Sequence, residues 1–249
     1  KKNGKWQFFY KTGEKHKQGN FKDDLKDGDW VTWYEDGTIL MTGAYELGKE
    51  TGEWNNFFDN GKLKNKGNFK AGNLHGDWTS YFPNGKLNNH GAYKENMKTG
   101  AWNHYYSNGR QKDMITYKII TKKSKIDFGV MKNRTTEKSV KHGAYISFSA
   151  KDYKKTEEGN YKQGKKTGKW IHYFPGGRLP AVTEEFKDGK LDGTMIQYYF
   201  RKDRVRSKTE FKNGMKHGKM QVYSKNGKLT KELEFEFGMQ KKGPTFSPN

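Results

Sequence analysis

The sequence predicts an all-β protein, an elongated single-file ribbon of stacked β-hairpins with almost no helix. Three observations predict it. A Gly-x-Trp anchor recurs at a nearly fixed period along most of the chain. Each period contains two aromatic-rich runs separated by turn residues. No segment of ten or more residues keeps helical spacing.

The first anchors, Gly4/Trp6, Gly28/Trp30, Gly52/Trp54, Gly76/Trp78 and Gly100/Trp102, are 24 residues apart. After a gap of 43 come Gly143/Tyr145, Gly168/Trp170, Gly193/Met195, Gly218/Met220 and a degenerate Gly243/Thr245, at a period of 25. Self-similarity of this length marks a repeat architecture. Within residues 52–75, Trp54 to Phe58 reads as a strand because it is aromatic-rich and bounded by turn residues. Asp59-Asn60-Gly61 then supplies a two-residue turn, since Asn-Gly tolerates the positive φ of a tight hairpin. Leu63 to Lys70 returns as the second strand, and Ala71-Gly72-Asn73 with Gly76 makes the outer turn. The inner turn recurs at Asp36-Gly37, Asn84-Gly85, Asn108-Gly109 and Asn226-Gly227, and Gly176-Gly177 replaces it once. Strands about 4.8 Å apart give a ribbon of roughly 90–100 Å.

Strand alternation sorts the side chains into columns. The structural anchors are Trp6, Trp30, Trp54, Trp78, Trp102, Tyr145, Trp170, Met195 and Met220. Three residues after the anchor, on the opposite face, stand Phe9, Trp33, Phe57, Tyr81, Tyr105, Phe148, Tyr173, Tyr198 and Tyr223. The second strand carries Phe21, Tyr45, Phe69, Tyr93, Tyr117, Tyr161, Phe186 and Phe211, often two residues after a glycine. That glycine lets a neighbouring ring lie against bare backbone. Each hairpin is marginal alone and buries its rings only against its neighbours.

Composition agrees. Only 31% of the 249 residues are hydrophobic, yet 15% are aromatic, which disordered chains are not. No apolar run approaches the roughly 18 residues of a spanning helix, so an integral membrane protein is not expected. Absence of cysteine excludes disulfides, thiolate zinc sites and cysteine nucleophiles. The chain starts at Lys1 inside a repeat, and the expectation is an N-terminal piece removed or omitted, as by signal-peptide cleavage.

The 49 Lys and Arg against 28 Asp and Glu leave +21, which implies an anionic partner unless the charge only keeps the chain soluble. The basic residues are regular. Lys22, Lys70, Lys94, Lys118, Lys162, Lys187 and Lys212 each follow a second-strand aromatic, so parity places them on the face opposite that ring. Lys62, Lys86, Lys228, Arg110 and Arg178 follow the inner turns along one long edge. A stripe of this kind either meets a partner or protects strand edges from pairing.

The wide gap divides the chain into repeats 1–5 at residues 1–118, a basic insertion at 119–138, and repeats 6–9 with a degenerate terminal repeat at 139–249. Lys122, Lys123, Lys125 and Arg134 in the insertion suit a docking loop. A solvated insertion or a joint between two ribbons is the alternative.

Catalytic chemistry is missing from the pattern. His75, His142 and His217 precede anchor glycines in different repeats, and His104 and His172 share a repeat position, so no metal site is expected. Neither a nucleophile elbow nor a phosphate-binding loop motif occurs. Carboxylate pairs such as Asp23/Asp24, Glu157/Glu158 and Glu184/Glu185 have no shaped cleft around them. The expectation is a non-enzyme with no cofactor and no small-molecule substrate.

The pattern G-x-W-x-x-Y/F-Y/F-x-N-G-K-L…G-x-Y/F-K-x-G, seen from Gly76 to Gly100, resembles the MORN-variant repeats of the YwqK-type antitoxin-like family over about nine tenths of the chain. The resemblance implies a hairpin ribbon that serves as a scaffold or partner-binding surface, in some proteins near membranes. It also implies a possible role as an exported accessory or plug subunit of an outer-membrane assembly, like the soluble plug of the type 9 secretion channel. The 43-residue gap and the Met anchors depart from the family's uniform ribbon.

The leading expectation is therefore a periplasmic or otherwise exported repeat scaffold, peripheral to the outer membrane. Its partner would be a protein, a membrane-embedded complex with an acidic surface. The partner-binding candidates are Phe9, Trp33, Phe57, Tyr81, Tyr105, Tyr173, Tyr198 and Tyr223 with the seven second-strand lysines and the basic insertion. The alternatives are a peripheral binder of anionic lipid, an antitoxin-like cytoplasmic binding protein, and a single-stranded nucleic-acid binder. Nucleic acid is disfavoured because the fold itself requires the aromatics and because Lys far outnumbers Arg.

Overall fold

The computed structural model of the chain describes residues 1–126, 132–200 and 203–241, without the side chains of 123–126 and 132–134. Strands form all of its regular secondary structure among the described residues. The degenerate repeat at Gly243/Thr245 lies outside the described residues.

Two compact units are present, one of Lys1–Gln111 with Tyr117–Ser139, the other of Lys112–Thr116 with Val140–Asn249. The first contains β1 (Gly4–Phe9), β2 (Lys15–Lys22), β3 (Leu25–Trp33), β4 (Ile39–Glu46), β5 (Lys49–Phe57), β6 (Leu63–Lys70), β7 (Asn73–Tyr81), β8 (Leu87–Lys94) and β9 (Met97–Tyr105). It also holds most of β10 (Gln111–Ile126). Each strand pairs antiparallel with the next in sequence.

The second unit takes the C-terminal half of β11 (Lys132–Phe148) and continues with β12 (Lys155–Lys162), β13 (Lys165–Tyr173) and β14 (Pro180–Lys187). There follow β15 (Lys190–Leu191), β16 (Gly193–Tyr198), β17 (Val205–Lys212), β18 (Met215–Tyr223), β19 (Leu229–Glu236) and β20 (Met239–Gln240). Successive antiparallel pairing again builds it. The insertion suggested a loop, but residues 119–126 and 132–138 continue β10 and β11 as strand.

The two turn types are the reverse of the sequence expectation. In the inner turn Tyr34 donates its N–H to the Thr38 carbonyl at 2.8 Å, and Gly37 returns one to the Tyr34 carbonyl at 3.0 Å. Only Gly37 has positive φ there, at +85°, so this is a three-residue loop ending in a glycine bulge. The Asx residue has another role: Asp36 Oδ1 accepts the Thr38 N–H at 2.8 Å, and Asn84 Oδ1 accepts that of Lys86 at 3.0 Å. The tight two-residue turns are the outer ones. Asp23 and Asp24 have φ of 50° and 67°, and Glu95 and Asn96 have 48° and 62°, the type I′ geometry that matches strand twist.

The core is a ladder of indoles. Trp30, Trp54, Trp102 and Trp170 are buried, whereas Trp6 on the terminal hairpin is 38% exposed. A Cβ on Gly19, Gly43, Gly67, Gly91 or Gly159 would run into the indole of Trp30, Trp54, Trp78, Trp102 or Trp170 respectively, each on the next hairpin. Burying one indole removes about 200 Å² from water, roughly 5 kcal/mol of transfer free energy. The Met anchors obey the same rule in reverse. Thr209 lies opposite both Met195 and Met220, so the glycine is absent where no indole needs it.

Second-strand rings close the ladder edge-on. Tyr45 meets Trp54 at 5.0 Å between centroids, Tyr93 meets Trp102 at 5.1 Å and Tyr161 meets Trp170 at 5.0 Å, all nearly perpendicular. Hydrogen bonds join consecutive hairpins at both edges, one backbone to backbone and the other from a tyrosine hydroxyl. The Gly48 N–H donates to the Lys26 carbonyl at 2.9 Å, and the Tyr34 hydroxyl donates to the Phe57 carbonyl at 2.9 Å.

Candidate functional site

Lysines divide into two populations, and only one is available. The first lies four residues before the anchor. Lys26 Nζ stands 4.6 Å from the Trp30 ring and 4.4 Å from Tyr45, Lys98 stands 3.9 Å from Trp102, and Lys166 stands 3.8 Å from Trp170. Lys2, Lys141 and Lys216 roof the ladder similarly. These cation–π contacts belong to the fold. The sequence reading missed this column, although its recurrence at the repeat spacing was visible.

The second population is Lys22, Lys70, Lys94, Lys118, Lys162, Lys187 and Lys212. All seven are exposed; six end a second strand just before the outer turn, and Lys118 lies inside β10, which runs on to Ile126. None has a carboxylate partner among the described residues. Within each unit, neighbouring hairpins place such positions about 10 Å apart. Lys122 in the insertion is exposed as well, while the side chains of Lys123, Lys125 and Arg134 lie outside the described residues.

The second-face aromatics are less available. Phe9 is 54% exposed, but Trp33, Phe57, Tyr81, Tyr105, Tyr173, Tyr198 and Tyr223 are half-buried. Phe9, Trp33, Phe57, Tyr81, Tyr173, Tyr198 and Tyr223 each sit at a register shift where the inner loop begins, as at Thr32/Trp33 and Asn56/Phe57. Tyr173 donates its hydroxyl to Glu158, and Tyr223 donates to Gln221 at 2.8 Å. Burial, with the Glu158 hydrogen bond and charge, pushes the Tyr173 phenol up to about 12. Burial pushes the Glu158 carboxyl up, but Lys155 and Tyr173 together hold it below the usual carboxylate range.

The anchors divide too. Trp78 is half-buried, and its indole N–H has no partner among the described residues, whereas those of Trp54 and Trp102 donate to the Ala44 and Ala92 carbonyls at 3.2 Å. Here Glu50 and Leu74 replace the roofing lysine, and the ladder opens into a hollow of about 260 Å³ lined by Trp54, Phe57, Phe69, Leu74 and Trp78 among others.

Carboxylate pairs serve the scaffold. Glu157 bonds Lys166 at 3.0 Å, Glu158 bonds Lys155 at 2.8 Å, and His172 bridges Glu157 and Glu184 at 3.7 and 3.0 Å. No group of three or more His, Asp or Glu among the described residues could hold a metal ion.

Four stretches of the chain, residues 2–23, 50–71, 74–95 and 216–236, match the family model described as MORN repeat variant. These four stretches are similar to MORN-variant repeats. No curated protein matches the chain. The same hairpin geometry recurs in the copies outside the matched stretches.

Proposed function

We propose that this protein is a non-enzymatic scaffold that binds a protein partner with an acidic surface through the outer-turn edge of its hairpins. One observation carries the reading: seven lysines at one repeat position are exposed and unpaired among the described residues, while the ladder lysines are committed to rings. Fixed cations of this kind accelerate encounter and set register more than they add affinity. In its finer form the partner is a membrane-embedded outer-membrane assembly, with this chain as a periplasmic accessory or plug subunit. The resemblance to exported MORN-type accessory proteins supports that form.

Photo-crosslinking side chains placed singly at Lys70, Lys94 and Lys212 test the reading in cells. A protein adduct of one defined mass from these positions is the expected result. Adducts with lipid alone would replace the protein partner by an anionic membrane surface. No adduct from any of the three would remove this edge from the function.

A further inference from the structure

The period change from 24 to 25 residues has a physical location. In repeats 1–5 and 9 the inner loop closes with a backbone bond from residue i to i+4, as in Tyr34 to Thr38 and Ser224 to Lys228. In three consecutive repeats it closes one residue later, from Ser149 to Lys154, Phe174 to Leu179 and Tyr199 to Arg204. All three enlarged loops belong to the second unit.

They form one structure. Gly177 of the middle loop lies so close to the preceding loop that a Cβ on it would stand 2.7 Å from Lys154 Cβ and 2.8 Å from the Lys155 nitrogen. Phe174 and Phe200, from successive loops, meet edge-on at 5.1 Å. Between them opens a hollow of about 470 Å³, with Phe174, Pro175, Leu179 and Phe200 as apolar walls and Lys154 and Arg178 as its cationic lining. Phe200 is 52% exposed at the mouth of this hollow. Neither Lys154 Nζ nor the Arg178 guanidinium has a carboxylate partner among the described residues. Asp152, the neighbouring acid, is occupied within its own loop by the Lys154 N–H at 3.2 Å.

We infer that these three loops form a binding site for an acidic peptide segment of a partner protein that carries an aromatic side chain. The ring enters between Phe174 and Phe200, where edge and face contacts are both offered. The flanking carboxylates meet Arg178, whose fork accepts them bidentately, and Lys154. Cations without a direct carboxylate contact beside an apolar pocket select against cationic and neutral segments. The inference rests on the proposed function, since it names a second contact for the same class of partner at a different place.

The test is fluorescence anisotropy of labelled acetyl-Asp-Glu-Phe-Glu-Asp-amide with the full chain at about 50 mM salt, where surface charges are only partly screened. Controls replace the peptide's Phe by Ala, or its four acids by Lys. Expected are saturable binding of the first peptide and a loss of about tenfold or more for the Ala control, for F200A and for R178E, the size of a hot-spot contact. A K5E/K11E variant in the first unit, at exposed lysines outside the proposed edge, should bind as wild type. Circular dichroism of the loop variants should be unchanged, because both side chains are exposed. Equal binding of the Ala control, or R178E and F200A binding as wild type, would overturn the site in favour of diffuse charge attraction. So would no binding at all, or binding only to phosphatidylglycerol vesicles. Peptide failure with edge adducts intact sinks this site alone, while peptide binding without edge adducts sinks only the edge reading.

Discussion

The indole of Trp102 lies against the bare Cα of Gly91 on the preceding strand, so closely that any Cβ there would occupy the ring's position. Gly91 pairs with Trp78 on its other side, so one missing side chain lies between two anchors. G91A is therefore expected to destabilise the chain by about 1–3 kcal/mol through overpacking. W102M should relieve part of that cost, since Thr209 is accommodated between Met195 and Met220. Urea unfolding of the two single variants and the double variant measures the coupling. Additive losses would contradict the seat.

The two lysine populations should respond differently to truncation. Lys26 lies over Trp30 and Tyr45 and reaches the Tyr45 hydroxyl at 3.2 Å, whereas Lys22, four residues earlier, is exposed. K26A should cost about 0.5–2 kcal/mol. K22A should stay within about 0.5 kcal/mol of wild type. Parallel denaturant titrations check both.

Tyr173 supplies a pH signature. Its folded pKa of about 12 lies above the ordinary value of 10, so the folded state favours the protonated phenol. The resulting stability is fully present below pH 10 and is lost as pH rises from 10 through about 12. The depressed Glu158 carboxyl works at the other end, its contribution present above the ordinary 4.5 and lost as pH falls through its lower folded value. Ultraviolet difference titration of wild type against Y173F should show one phenol ionising near pH 12. A phenol ionising near 10 would contradict the hydrogen bond to Glu158.

Gly177 supports the enlarged loops by contact and by conformation. Its φ of +62° is left-handed, and a Cβ would meet the Lys154 and Lys155 backbone region below 3 Å. G177A should displace the middle loop and weaken acidic-peptide binding while leaving the ladder intact. The near-ultraviolet signal of the tryptophans reports the ladder, and anisotropy reports the loop.

The repeat, the hairpins and the glycine seats were legible because each follows from local spacing: Trp30 four residues past Lys26, Gly43 opposite Trp30, Tyr45 two beyond. The turn assignment failed because Asn-Gly serves two geometries, and only the position of the closing bond distinguishes Asn60-Gly61 from a true two-residue turn. Asn60 Oδ1 holds the Lys62 N–H at 3.1 Å, a role invisible in the dipeptide. The roofing lysines recur four residues before their anchors but were not singled out, because Glu50 and Leu74 interrupt their column in the middle of the first unit. The loop pocket was hidden because the shift from 24 to 25 shows that a residue was added and not where it went. Phe174 and Phe200 are 26 apart in sequence and meet only through two strands of register.

The central functional claim is that a dedicated protein, and not a charged surface in general, occupies this scaffold. The direct measurement is affinity recovery of the tagged chain from gently solubilised native membranes, with the amount of each co-recovered protein followed through a wash of rising salt. The account predicts one membrane protein in near-equal molar amount that survives the wash, because apolar contacts at the loops outlast the screened lysines. Recovery of the chain with lipid only, released steadily as salt rises, would contradict it.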